Sequence, residues 1–326
     1  MLRVVSCPSL KSFSSKVSDL KPRNPGAINS TPSASESLGI IYVGFHPTLL
    51  NLSPSAKNPV TLPPPGSLFR YAKLSSMQIS DELKQKVNSA QKVCVLTGAG
   101  VSAESGVPTF RGGGGNAIWK GMPVEEISSA RMARENLPEV WAWIDNRRGA
   151  FQSCKPNAAH HALMMWESRV PEMLIVTQNI DGLHRAAGSG RIIELHGNVQ
   201  RARCTKCRMK YELLADQVPH VPDICDLCDA PVRPDVVLFG EMLPPGAFET
   251  AEQVAGECEL FVSIGTSALV FPAAALSSIA KQAGAFCIEI NPEETPQSHF
   301  FDASLRGKAG EILPDLLGIN RAEMRV

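Results

Sequence analysis

Five short apolar runs, at residues 93–96, 174–177, 192–195, 260–264 and 286–290, constrain the fold of this chain more than any other feature. Each is too short and too evenly apolar for an amphipathic helix, and each reads as a strand buried on both faces. Helical sequence at 245–258 and 272–283 separates the later runs. Strands alternating with helices give an α/β fold, a parallel sheet covered by helices on both faces. Ligands of such sheets gather beyond the carboxyl ends of the strands, so the residues just past each run carry the interest. Gly98 stands past the first, Gln178-Asn179-Ile180-Asp181 past the second and His196-Gly197 past the third. Gly265-Thr266-Ser267 comes after the fourth and Asn291 after the fifth. All of these polar clusters fall at one edge.

The turn after the first run, Gly98-Ala99-Gly100-Val101-Ser102-Ala103, fits G-x-G-x-x-G/A. Glycines placed there let the backbone approach a pyrophosphate, and a helix starting next turns its free amides toward the phosphate oxygens. A chance glycine turn is the rival for those residues alone; the string continuing to Gly112 through Thr109, Phe110 and Arg111 is longer than chance supplies. The acid that such sites carry about 20 residues further on is not obvious, because Glu125 and Glu126 lie in helical sequence.

Folded sequence begins near Ser80, which is placed to cap a helix with Asp81 and Glu82 in its first turn and Leu83 and Val87 facing inward. Further helices are predicted at 124–134, at 138–151 and from Pro156-Asn157 through His160 and Leu163. His160 and His184 read as packing or hydrogen-bonding residues, whereas His196 stands at a strand end just before a glycine.

The 326 residues hold 32 basic and 32 acidic side chains, so net charge gives no reason to expect a nucleic-acid partner. No run of about 18 apolar residues is present to cross a membrane. Four of the nine cysteines form C-x2-C-x17-C-x2-C: Cys204, Cys207, Cys225 and Cys228. Two such pairs complete a closed set of four thiolates, the preferred geometry of structural zinc, with a redox C-x-x-C pair as the rival. The scattered remainder reads as buried free thiols, which implies a reducing compartment. Residues 1–76 differ from the rest, being rich in Ser, Pro and Asn and carrying only Asp19 and Glu36 as acids. They read as a transit peptide or as a disordered tail, with Met77 as an alternative start, so the expected location is mitochondrial or cytoplasmic.

Together these motifs resemble the sirtuins: the string from Gly98 to Gly112, Thr177-Gln178-Asn179-Ile180-Asp181-Gly182-Leu183-His184, His196-Gly197, the two cysteine pairs, Phe239-Gly240-Glu241, Gly265-Thr266-Ser267 and Asn291. The resemblance covers about residues 80–318 in order. It implies a deacylase domain at 77–318, Rossmann-like with a zinc-binding insertion near 198–235 and a tail at 319–326. The implied activity is NAD-dependent removal of acyl groups from protein lysines, giving nicotinamide and O-acyl-ADP-ribose. NAD and zinc are the implied cofactors and acylated proteins the partners, with neither nucleic acid nor membrane involved.

Roles come from the same resemblance. Gly98, Ala99, Gly100, Ser102, Thr109, Phe110, Arg111, Ile180, Gly265, Thr266, Ser267, Asn291 and Ala309 would contact NAD. Gln178 would touch the nicotinamide ribose, and Asn179 and Asp181 would orient the nicotinamide for departure. His196 would act as general base on a ribose hydroxyl, a role that suits an imidazole near neutral pH. Val237, Gly240 and Glu241 would take an extended peptide as an added strand. Within the family, the chain looks most like the class that removes malonyl and succinyl groups. Thr109 stands where most deacetylases have Asp, and Arg147 matches that class's arginine, whose guanidinium pairs with an acyl carboxylate. Ile144 occupies the position of that class's tyrosine and lacks its hydroxyl. An exposed helix arginine is the other reading of Arg147, given Arg148 beside it. Deacetylation or mono-ADP-ribosyl transfer on the same scaffold are the alternatives in function.

Overall fold

The structure, a computed structural model, describes residues 79–109, 118–213 and 223–324. The segment 1–76 and the expected cofactor residues Phe110 and Arg111 lie outside the described residues.

Ser80 caps α1 (Asp81–Ser89) by accepting the Leu83 amide at 3.3 Å, and Val87 is buried as its spacing predicts. The chain then enters β1 (Lys92–Thr97), a 3-10 turn at Ala99–Ser105, and a hairpin of β2 (Ile118–Trp119) and β3 (Met122–Pro123). Helices α2 (Val124–Ile127) and α3 (Ala130–Glu135) occupy the stretch where one helix was predicted; Ser128 ends the first, and Ser129 caps the second by accepting the Met132 amide. α4 (Leu137–Gln152) and α5 (Ala158–Arg169) come next, α5 capped by Asn157 and His160 in a reciprocal box.

β4 (Glu172–Thr177), the short α6 (Leu183–Ala186) and β5 (Ile192–Glu194) lead into an antiparallel sheet of β6 (Gly197–Cys204), β7 (Lys210–Glu212) and β8 (Val232–Val236) in the order β7-β6-β8. The chain returns through α7 (Ala247–Glu257), β9 (Leu260–Ile264), α8 (Leu276–Gln282), β10 (Phe286–Ile290), β11 (Ala303–Leu305) and α9 (Ala309–Leu316). No described helix is long and apolar enough to cross a membrane.

The main sheet has six strands in the order β11-β10-β9-β1-β4-β5, and every neighbouring pair is parallel. Side chains alternate across it. Val93, Val95, Ile175, Val262 and Ile288 pack with α5 and α9 on one face; Cys94, Leu96, Val176, Phe261 and Cys287 pack with α7 and α8 on the other. That two-sided burial is why the strands read as unbroken apolar runs. A third cluster, including Ile144, Trp143, Ile180, Val236 and Leu238, seats α4 against the end of β8 and the turn after β4.

Gly197 marks where the chain leaves one sheet for the other. Its φ is 77°, and a Cβ there would lie 2.0 Å from the Asp235 carbonyl oxygen, so only glycine fits directly after His196. The junction is cross-braced by charge. Arg201 bridges Glu194 at 2.7 Å and Asp235 at 3.1 Å, and Arg203 joins Asp235 at 3.3 Å. Burial raises the proton affinity of the Glu194 carboxyl, but Asn198 and Arg201 outweigh it and hold the group below its ordinary range.

Candidate active site

The carboxyl ends of β1, β4, β5, β9 and β10 bring Gly98, Gln178, His196, Gly265 and Asn291 to one edge, as the strand pattern predicts. Their loops are bonded to one another. Gly98 N–H donates to the Ile264 carbonyl at 3.0 Å and Gly100 N–H to the Gly265 carbonyl at 2.8 Å. A Cβ on Gly100 would lie 2.6 Å from Gly265 Cα, and one on Gly265, where φ is +59°, 2.5 Å from Val101 N. These glycines therefore let two backbones meet, a requirement separate from the close phosphate approach read from the sequence. The turn after Gly98 is 3-10 rather than α-helical.

Beneath this contact lies a buried polar chain with a fixed direction. The Asn157 amide donates to His160 Nδ1 at 3.2 Å, so His160 Nε2 carries the proton and donates to Ser102 Oγ at 3.3 Å. Ser102 in turn donates to Asp181 Oδ2 at 2.8 Å, while Asp181 Oδ1 accepts the Leu183 amide at 2.9 Å. Asn179 Nδ2 donates to the Gly98 carbonyl at 3.1 Å and to Ser102 Oγ at 3.2 Å. Both amide protons are thus engaged, and the Asn179 carboxamide oxygen has no donor among the described residues.

Burial pushes the Asp181 carboxyl above the usual range, against the opposing Leu183 and Ser102 hydrogen bonds. Burial also holds His160 down to about 2 and His184 down to about 4. His184 bonds Thr97 Oγ1 at 3.0 Å, and its ring meets that of His160 edge-on at 4.9 Å. Both are neutral supports, as their sequence contexts imply.

His196 is different. Its Nδ1 lies 2.9 Å from the Gln178 carbonyl oxygen. A carbonyl only accepts, so Nδ1 bears the proton and Nε2 keeps its lone pair. Burial lowers its pKa from the ordinary value, partly countered by the Gln178 carbonyl. A pinned neutral imidazole of this kind can take a proton from a hydroxyl.

On the other side, Gln178 Nε2 donates to Thr266 Oγ1 at 3.1 Å and Asn291 Nδ2 to the Thr266 carbonyl at 3.0 Å. Ser267 is half-buried and accepts the Leu269 amide at 3.4 Å. Ala99 is half-buried at the start of the 3-10 turn, Thr109 is half-buried, and Ala309 is the first residue of α9.

The residues assigned to substrate differ in how much they have to offer. Glu241 grips the Arg233 guanidinium with both oxygens and accepts the Leu238 amide at 3.0 Å, so its carboxylate is spent inside the loop. The Val237 amide bonds His196 O at 2.9 Å and the Phe239 amide Ser128 O at 2.8 Å. Gly240, with φ +84°, turns the chain at an exposed position. Ile144 is fully buried in the third apolar cluster. Arg147 is half-buried rather than exposed, its guanidinium 4.8 Å from the Trp143 ring centre. It has no carboxylate partner among the described residues, and its Nε is buried without a hydrogen bond. Arg148, beside it, is instead buried and paired with Asp145 at 2.9 Å.

Cys204, Cys207, Cys225 and Cys228 place their sulfurs within 4.8 Å of one another, the nearest pairs at 3.5 Å. A tetrahedron with metal–sulfur bonds of about 2.3 Å has edges of about 3.8 Å, so this set fits zinc and leaves no open position. The Lys206 and Cys207 amides point at Cys204 Sγ from 3.3 and 3.4 Å, and Tyr211 donates to Cys225 Sγ at 3.3 Å. Those hydrogen bonds suit thiolates.

Glu104, which no motif in the sequence singles out, reaches from the glycine turn to the Gly310 amide in α9 at 2.8 Å. No local pattern flags it, because its partner is 206 positions away.

Known proteins carry the same pattern. The Sir2 family profile matches residues 98–272, more than half of the 326-residue chain. An NAD-dependent protein deacylase of Thermus thermophilus is 44% identical over 247 residues, covering 74% of this chain and 95% of the relative. A solved Sir2 homologue in complex with NAD is 40% identical with a TM-score of 0.68, covering 76% of this chain and 96% of that one. A Sir2 structure with p53 peptide and NAD+ is 30% identical, TM-score 0.62, covering 73% and 97%. The parallel sheet, the pinned histidine, the four-cysteine lobe and these similarities agree: the chain belongs to the Sir2 family.

Proposed function

We propose that this protein is an NAD-dependent protein-lysine deacylase that favours acyl groups ending in a carboxylate, malonyl and succinyl among them. The pinned His196 beside the Asn179–Asp181 cluster supports the deacylase reading. Bound NAD supplies a ribose carbon from which nicotinamide can leave. Gly98, Ala99, Gly100 and Ser102 line the diphosphate side; Gly265, Thr266, Ser267, Asn291 and Ala309 line the adenosine side. Asn179 and Asp181 hold the leaving carboxamide, with Ile180 between them anchoring the turn in the apolar cluster. With NAD and an acyl-lysine bound, the acyl oxygen would bond to the ribose carbon as nicotinamide departs. His196 Nε2 would then accept the proton of a ribose hydroxyl as that oxygen attacks the acyl carbon. Departure of lysine and addition of one water at that carbon would complete O-acyl-ADP-ribose, with nicotinamide and free lysine as the other products. The peptide lies along Val237–Gly240 and meets the Val237 and Gly240 carbonyls there, since the Val237, Leu238 and Phe239 amides are engaged and the Leu238 and Phe239 carbonyls accept the Glu241 and Ala130 amides. Zinc supplies no chemistry; four thiolates around it close the small lobe.

Arg147 carries the acyl preference: a half-buried cation on an aromatic face, without a carboxylate partner among the described residues. Burial lowers its pKa, the mark of a cation short of solvent. Ile144 favours the second reading, deacetylation, since it offers no hydroxyl to a carboxylate. Acetyl-, malonyl-, succinyl- and glutaryl-lysine peptides assayed with NAD on wild type and Arg147→Met separate the two. Loss of turnover confined to the three acidic groups is expected; equal loss on all four peptides would sink the selector role.

A further inference from the structure

The edge read as the peptide site, Val237–Gly240, is closed by Glu241. The Glu241 amide donates to the Leu238 carbonyl at 3.0 Å, and Glu241 Oε2 accepts the Leu238 amide at 3.0 Å. The Val237 amide is taken by His196 O, and Phe239 bonds Ser128 O and the Ala130 amide. Among the described residues this leaves open the carbonyls of Val237 and Gly240 and the Gly240 amide, backbone groups with which an added strand can pair. Leu238 is buried, but Phe239 and Met242 are exposed. Apolar packing therefore does not hold the outer side of this turn.

Arg233 holds it instead. Buried on β8, it binds both Glu241 oxygens, with Nη2 at 3.1 Å, and Nη2 also donates to the Val236 carbonyl at 3.0 Å. One guanidinium thus ties the residue before the edge to the acid that follows it. Charge leaves Glu241 few alternatives. Arg203 faces Arg233 across the β6–β8 pair and lies 3.9 Å from Glu241, but Asp235 already holds it at 3.3 Å. Glu241 is in turn the one carboxylate paired with Arg233 among the described residues. Without Arg233 a partly buried carboxylate would lose its main partner and turn to solvent. The Leu238 amide would then lose its acceptor, and the edge its fixed pattern.

We propose that Arg233 is a positioning residue for the substrate: it holds Glu241, and through it the Val237–Gly240 edge, in the pattern with which an extended acyl-lysine peptide pairs. The inference rests on the reading of that edge as the peptide site. Because Arg233 acts on the backbone edge, its effect falls on peptide affinity whatever acyl group the lysine bears.

Calorimetric titration of the full chain with NAD, and with acetyl-lysine and succinyl-lysine peptides of one sequence, tests it. Arg233→Met is expected to weaken both peptides about tenfold or more, since it strands the Glu241 charge. NAD affinity is expected to stay within about twofold, as for an independent site. Adding Glu241→Gln to that variant removes the stranded charge and keeps an oxygen for the Leu238 amide, so most of the peptide affinity should return. Arg233→Lys keeps the charge but not the two-pronged grip, and a smaller loss confined to the peptides is expected even if Arg233→Met does not fold. Equal weakening of NAD and peptides would show a merely structural role, and loss confined to the succinyl peptide would place Arg233 at the acyl group; either overturns the proposal. Wild-type peptide binding with unchanged affinity in the variants would overturn the role of Arg233 alone. Wild type binding NAD but neither peptide would overturn the reading of the edge as well.

Discussion

At the scale of single residues, function depends on which imidazole is free to work. Three histidines sit close to the edge of the sheet, and hydrogen bonding separates them. His160 and His184 are walled in and neutral, whereas His196 gives its Nδ1 proton to Gln178 and keeps Nε2 open. His196→Ala is expected to cut deacylation by about 10²–10⁴-fold with zinc content unchanged. Burial lowers the His196 pKa, so Nε2 stays unprotonated below the ordinary value of about 6.5. The acid limb of kcat/KM against pH is accordingly expected under pH ~6.5, and a limb centred above pH ~7 would contradict the assignment. His184 gives a stability test. Folded, it titrates at about 4 because burial disfavours its charged form. As pH falls below about 6.5 the unfolded chain takes up a proton that the folded chain refuses, so stability drops by about 3 kcal/mol on reaching the folded pKa. Urea unfolding at several pH values should show that slope flattened in His184→Asn.

At the scale of elements, glycines and cysteines set the limits. Gly100→Ala would press a Cβ to 2.6 Å from Gly265 Cα, where neither backbone can retreat. A loss of about 1–3 kcal/mol and of NAD binding is expected, measured by unfolding midpoint and calorimetry. Cys204→Ser is expected to cost zinc and soluble protein together, because the apolar cluster of that lobe is small and the metal supplies much of its folding energy. A zinc-free variant of full stability would refute this. The five runs were legible as strands because each is buried on both faces, and the cysteine spacing alone marked the four-thiolate cluster. Other elements were hidden. β6 and β8 carry Arg201, Arg203, Arg233 and Asp235 in paired, partly buried positions, so their sequences look polar. β11 has only three residues, too few for a pattern. The Arg233 partner of Glu241 was not legible in sequence, because it lies on a different element, β8.

At the scale of the whole molecule, the site exists because two sheets meet at His196-Gly197. The parallel sheet offers its carboxyl edge, and the sheet that carries the four-cysteine cluster continues directly from His196, braced by Glu194, Arg201 and Asp235. The similarity to the Thermus thermophilus relative takes in 74% of this chain and 95% of that one. A protein starting at Met77 is expected to keep the melting temperature and turnover of the full chain; a fall in either would assign residues 1–76 a part in the enzyme. The central claim is that nicotinamide is cleaved from NAD as the acyl group leaves lysine. Mass spectrometry of a succinyl-lysine peptide after incubation with the full chain and NAD tests it most directly. Free lysine, nicotinamide and O-succinyl-ADP-ribose are expected in equal amounts; ADP-ribose attached to the peptide, or acyl loss without NAD, would contradict it.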